Sequence, residues 1–238
     1  MFNTLKKIRR TLVFESKEIL KKNNELLWAS VFNNTIKDSS WLTIQSFSPG
    51  RWAVGYPALY ILYRIYNDMK PKRVLEFGLG ESSKLLYQYA NQFNAEYLIV
   101  EHDKNWIDFF VQDKAIDPKN ILVTTLSHRN YKNKETRIYD RLLENIEGKK
   151  FDLIIIDGPF GSEHYSRSQI LDIIEKDQLA EDFVILMDDY NREGEKQTVE
   201  ELKNLLCSRK TTFYEGIYSG EKDCIIICNE RYSFLCTL

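Results

Sequence analysis

Arg73-Val74-Leu75-Glu76-Phe77-Gly78-Leu79-Gly80-Glu81-Ser82-Ser83 is the stretch that decides the fold. Val74, Leu75 and Phe77 supply a short buried strand. The apolar-periodic residues Leu85, Leu86 and Tyr89 that follow supply a helix. Between the two, Gly78 and Gly80 allow backbone torsions, and a close approach to a ligand, that a Cβ forbids. Ser82 or Ser83 can cap the helix, whose free N–H groups and positive dipole end face the same crevice. A strand–glycine–helix unit near the start of an α/β sheet is where nucleotide-like cofactors sit.

Two cofactor classes compete for such a turn. A dinucleotide site wants G-x-G-x-x-G, with pyrophosphate on the helix N-terminus. Here Ser83 replaces the third glycine, and Glu76 stands two residues before the first. A carboxylate beside the turn repels a pyrophosphate and suits a cationic aminoacyl group. E-x-G-x-G resembles the first motif of the class I S-adenosylmethionine (SAM) methyltransferases, which makes Glu76, Gly78, Gly80 and Ser82 candidate cofactor residues.

Further strands carry further candidates. Residues 97–102 form a second strand with Glu101 at its carboxyl end, where a carboxylate accepts ribose hydroxyls in SAM and NAD enzymes alike; His102 beside it is an adenine neighbour. The third strand, 121–124, is followed by Thr125-Leu126-Ser127-His128, with no carboxylate to meet an adenine amino group. A helix is expected from Tyr139 to Glu147. Five apolar residues precede Asp157 on a fourth strand that reads as central and buried on both faces. Gly158-Pro159 then turns the chain sharply, so that a loop with His164, Tyr165 and Arg167 can fold back over the site. Strand five, 183–187, delivers Asp188, Asp189 and Arg192 to the same rim. Three carboxylates there suit a hard divalent cation, so Asp157, Asp188 and Asp189 are candidate ligands for magnesium or a similar ion. Runs at 211–218 and 223–229, joined by Ser219-Gly220-Glu221-Lys222, read as a terminal hairpin.

Residues 1–36 read as one helix. Leu5, Ile8, Leu12, Ile19, Leu20, Leu26 and Leu27 recur at helical spacing, with Lys6, Lys7, Arg9, Arg10, Lys17, Lys21 and Lys22 between them. Residues 1–45 are therefore expected to be a basic amphipathic extension, able to rest on an anionic membrane surface, and 46–238 the catalytic domain. Trp52 and Tyr56, in the segment from Arg51 that leads to the first strand, are candidates to line the pocket. A 43% apolar content gives a sizeable core, and a net charge of −2 argues against a general nucleic-acid binder. Four cysteines without a CxxC pair read as reduced thiols. No apolar run is long enough to span a membrane, and no signal-peptide core is present, so the expected compartment is the cytoplasm.

Four motifs in order carry a resemblance over roughly residues 50–229. They are Glu76-Phe77-Gly78-Leu79-Gly80-Glu81-Ser82, Glu101-His102-Asp103, Asp157-Gly158-Pro159-Phe160-Gly161 and Asp188-Asp189-Tyr190-Asn191-Arg192-Glu193-Gly194-Glu195. Together they resemble class I SAM-dependent methyltransferases, and within them the bacterial methyltransferase-domain proteins found among glycosyltransferases and surface-polysaccharide genes. The resemblance implies an α/β, Rossmann-like fold with a seven-stranded, mostly parallel sheet in the order 3-2-1-4-5-7-6 and helices on both faces. It also implies O-methylation of a sugar or another small hydroxyl-bearing acceptor in glycan or polysaccharide biosynthesis. Asp157, His164 and Asp188 would then be the catalytic candidates, with Arg192, Trp52 and Tyr56 toward the acceptor. Two other readings remain open: an NAD(P)-dependent oxidoreductase and a non-catalytic partner that keeps the fold.

Overall fold

The computed structural model describes residues 2–50, 52–112 and 116–237; Arg51 and the side chains of Leu5 and Ile8, singled out above, lie outside the described residues. Its centre is a sheet of seven strands. Five run parallel: β1 (Arg73–Phe77), β2 (Glu96–Glu101), β3 (Ile121–Val123), β6 (Phe151–Ile156) and β7 (Leu179–Met187). A hairpin of β8 (Tyr214–Ser219) and β9 (Asp223–Cys228) completes it, with β9 antiparallel to β7 and β8 outermost. The order β3-β2-β1-β6-β7-β9-β8 is 3-2-1-4-5-7-6 when only the sheet strands are counted. Fold class and strand order are those expected.

The sheet is buried on both faces because its strands are apolar at successive positions rather than alternate ones. Val74, Leu153, Ile155, Val184, Leu186 and Ile226 point to one side. Leu75, Phe77, Ile154, Ile156, Ile185 and Ile227 point to the other. The second side is covered by α5 (Leu142–Asn145), α6 (Gln169–Glu175) and α7 (Glu193–Ser208). On the first side lie α2 (Tyr56–Arg64), α3 (Glu81–Phe93) and α4 (Lys104–Gln112). Pro57 stands in the first turn of α2, where its missing N–H costs nothing. Buried residues then run without a break from Pro57 to Tyr63, because α1 (Phe2–Ile36) packs over α2's outer face.

The expected N-terminal helix is present as Phe2–Ile36, and its second half belongs to the core. Phe32 and Ile36, with Trp41 and Leu42 just beyond, are buried in the same apolar cluster as α2 and α3. The core thus crosses residue 45. Glu25 fixes the helix to two distant segments: its carboxylate accepts from Tyr56 N (2.7 Å) and Glu221 N (2.9 Å). Trp28 Nε1 adds a bond to Ser219 O at 3.0 Å. No helix among the described residues is long and apolar enough to cross a membrane.

A second, two-stranded sheet was not expected. Between β3 and α5 the chain makes a hairpin of β4 (Leu126–Tyr131) and β5 (Lys134–Tyr139). Its turn, Lys132-Asn133, has both residues at positive φ (49° and 63°), as a two-residue hairpin loop of this hand requires. The helix expected from Tyr139 to Glu147 shrinks to α5, four residues long, because Tyr139 is taken into β5.

Candidate active site

The glycine turn is held from behind and from the side. Gly78 has φ +90°, a conformation open mainly to glycine, and a Cβ there would press on the Asp157 carbonyl and Gly158 N at 3.2 Å. Gly158 faces it, and a Cβ on Gly158 would come within 2.3 Å of the Tyr139 hydroxyl oxygen. The ends of β1 and β6 therefore meet backbone to backbone. Helix α3 starts at Gly80, whose N–H donates to Ser83 Oγ at 3.0 Å. Ser83, rather than Ser82, closes this cap. Nothing lies within 4 Å of where a Gly80 Cβ would stand, so this end of the turn is open to a ligand.

Glu76 and Ser82 lie behind the turn instead of lining it. Glu76 is buried, on the β1 face covered by α2 and α3, and accepts from Ser82 Oγ at 2.5 Å. Burial pushes its carboxyl up to about 7, with the Ser82 and Ser83 hydroxyls pulling the other way. Alternation along the strand explains the placement: Phe77 faces the second side of the sheet, so Glu76 must face the first.

Glu101 occupies the pocket wall at the end of β2. One oxygen accepts from Leu79 N (3.0 Å) and the other from His102 N (2.5 Å) and Asp103 N (2.9 Å). Its carboxylate so ties the glycine turn to the end of the neighbouring strand. Trp106 braces the same turn from α4, its indole N–H donating to Leu79 O at 2.6 Å.

These groups open into one pocket of about 460 Å³. On one side it is lined by Gly78, Gly80, Glu101, His102 and Trp106, on the other by Trp52, Asp157, Asp189, Arg192 and Lys222. Phe160 stands between, edge-on to His102 (ring centroids 5.1 Å apart) and to Trp52 (6.2 Å). Trp52 is 77% exposed and forms part of the mouth. Tyr139 lines the pocket too, and its buried hydroxyl has no hydrogen-bond partner among the described residues.

The far wall is a network of charges. Asp157, Asp188 and Asp189 offer oxygens that all lie within 4.8 Å of one another. Arg167, only 3% exposed, enters this cluster. Its guanidinium donates to Asp157 Oδ1 (3.3 Å), Asp189 Oδ2 (2.8 Å) and the Asp188 carbonyl (2.9 Å). Lys222 Nζ comes from the β8–β9 turn, 2.9 Å from Ala53 O and 3.4 Å from Asp188 Oδ2. Arg192 Nη1 lies 3.0 Å from Asp189 Oδ2. Tyr165, Arg167 and Asp189 all hold positive φ (44°, 59° and 59°). Such torsions cost non-glycine residues about 1–3 kcal/mol each and persist only where the surroundings impose them.

Burial and the neighbouring Asp188 raise the Asp157 carboxyl well above the usual carboxylate range. Asp188 is raised by burial as well, against the pull of Lys222. The donor set has the oxygens for a divalent cation, yet a guanidinium and an ammonium already sit among them. A metal ion would have to displace a buried Arg167, so the residues present do not fit one.

Besides Glu76 and Ser82, three sequence candidates fall outside the pocket. His164 turns away, with Nδ1 3.3 Å from Gln197 Oε1 on α7. Tyr56 packs on Phe32 of α1, ring centroids 6.0 Å apart. Asp188 is buried behind Asp157 and Asp189 and does not reach the pocket wall. In turn, Trp106, Tyr139, Phe160 and Lys222 line it without having been candidates.

No family model and no curated protein matches the chain. Solved structures do. A Podospora anserina methyltransferase, PaMTH1, bound to S-adenosylhomocysteine (SAH), is 12% identical with a TM-score of 0.49, over 92% of this chain and 94% of that one. The precorrin-6y C5,15-methyltransferase of Geobacter metallireducens is also 12% identical, with a TM-score of 0.48, over 77% of this chain and 94% of that one. Likeness at this level carries no argument about chemistry.

Proposed function

We propose that the chain is a SAM-dependent methyltransferase acting on a hydroxyl of a small acceptor, a sugar or glycan building block. The observation that carries this reading is a single pocket entered by the glycine turn of β1, by Glu101 at the end of β2 and by Asp157 at the end of β6. In a sheet of this order, ligands sit outside the carboxyl ends of the strands, where the strand order reverses. Here that is the gap between β1 and β6.

SAM fits the near half of the pocket. The backbone at Gly78 and Gly80 admits its close approach, Glu101 is placed to accept ribose hydroxyls, and His102, Phe160 and Trp106 offer flat rings to an adenine. The Tyr139 hydroxyl, buried and unpartnered, has a donor to spare for a polar ligand atom. When bound, SAM supplies an electrophilic methyl group. Asp157 takes the proton of the acceptor hydroxyl, while Arg192 and Trp52 hold the acceptor at the mouth. Much of the acceleration is positioning. No metal is assigned a role.

An Asp157→Asn variant tests the assignment. Turnover with radiolabelled SAM and a panel of sugar acceptors is expected to fall by about 10²–10⁴, with SAH affinity kept. Full turnover in that variant would remove Asp157 from the chemistry. The pH profile adds a second readout. A raised pKa leaves Asp157 protonated, and unable to accept a proton, to higher pH than an ordinary carboxylate. Wild-type turnover should therefore climb as pH rises through that value. The oxidoreductase reading has less support, because Ser83 holds the third glycine position and β9 is antiparallel.

A further inference from the structure

The first 22 residues carry seven basic side chains against two carboxylates, Glu15 and Glu18, in a chain whose net charge is −2. Helix α1 presents this segment as a beam whose far end, from Glu25 to Ile36, is fixed to the domain. Glu25, Trp28, Phe32 and Ile36 mark the face that meets the domain. Leu12, Val13, Ile19, Leu20, Leu26 and Leu27 mark another, and each is between 49% and 69% exposed. At about 100° per residue the two sets lie roughly 175° apart around the helix. The apolar stripe thus looks directly away from the protein to which the helix is fixed.

Two occupants compete for such a stripe, and its fine pattern separates them. A second helix needs apolar residues alternating at three- and four-residue intervals. Here Arg9, Ser16, Asn23 and Ser30 recur every seven residues along the stripe, just where the second row of knobs would stand. Lys17 and Lys22 lie on the two polar flanks, each about 110° from the middle of the stripe, the pattern of a helix lying in a membrane interface. From a face in the acyl boundary, Arg9 can extend its guanidinium to the headgroups.

We propose that the outward face of α1 lies on an anionic lipid surface, with the catalytic domain on the opposite side of the helix. The helix meets the surface in plane, its leucines and isoleucines below the headgroups and its lysines among them. The proposal is independent of the reaction catalysed.

Co-flotation of the full chain with vesicles of phosphatidylcholine, with and without phosphatidylglycerol, tests it. Binding is expected to the mixed vesicles, to weaken with added salt, and to be much poorer on phosphatidylcholine alone. A Leu12→Gln/Ile19→Gln/Leu20→Gln variant should keep the wild-type melting temperature, since the three side chains are exposed, and lose binding by about tenfold or more. A Lys17→Ser/Lys22→Ser variant should lose about tenfold or more on the mixed vesicles only. Failure to float with mixed vesicles, or flotation unchanged in the leucine variant, would overturn the proposal. So would a wild-type dimer, seen by light scattering and abolished by the Gln substitutions, in a chain that ignores vesicles; the face would then belong to a second copy.

Discussion

The two walls of the pocket are built in opposite ways. The near wall, from β1 and β2, is backbone: a glycine turn, a helix start, and one carboxylate, Glu101, held by three main-chain N–H groups. Its parts lie within about one βαβ unit of each other. The far wall is side chain, and it is gathered from Asp157, Arg167, Asp189, Arg192 and Lys222 on four separate segments. One wall is fixed by torsion angles, the other by charge balance. A wall of the first kind tolerates changes of charge behind it; a wall of the second kind fails when one ion is removed.

The largest effect is therefore expected from Arg167→Met. It leaves Asp157, Asp189 and Glu195 buried without their central cation, and breaking such a pair costs about 3–5 kcal/mol. Chemical denaturation should show that loss, or an insoluble protein. A loss below about 1 kcal/mol would mean that Lys222 and Arg192 alone balance the far wall.

Next in size is the pH response of the near wall. Glu76 titrates near 7 when folded against an ordinary 4.5. A carboxyl with a raised pKa stabilises the fold below its unfolded value, and that contribution fades as pH climbs through the folded value. About 3 kcal/mol is at stake between pH 4.5 and just above 7. Glu76→Gln should flatten this slope, be more stable than wild type above pH 7, and keep its SAH affinity. A large loss of SAH affinity would instead bring Glu76 round to the pocket.

The smallest expected effect is that of metal. With Arg167 and Lys222 among the three aspartates, magnesium or a chelator should leave turnover unchanged within error. Loss of turnover on chelation, restored by magnesium, would show that an ion displaces them.

The same contrast governs what the sequence reveals. The near wall is legible because strand, turn and cap are contiguous, while the strand order is implied by the resemblance of the motifs, with which the terminal hairpin agrees. The far wall is only half legible. Its aspartates stand at strand ends, where position alone marks them. Arg167 was noted on a returning loop, but its partners lie 10 and 22 residues away, and no local pattern announces a salt bridge of that span. Lys222 reaches across 34 residues to Asp188 from what reads as an ordinary turn. His164 misled because the loop does return while its ring turns to Gln197. The β4–β5 hairpin escaped for a different reason. Its strands are mostly polar and only partly buried, so the apolar alternation that betrays a strand is faint.

Calorimetric titration of SAH into the purified wild-type protein and into Glu101→Ala tests the central claim most directly. The account predicts binding in the micromolar range for wild type and its loss in the variant. No heat with SAH, alongside measurable binding of NADH, would contradict it.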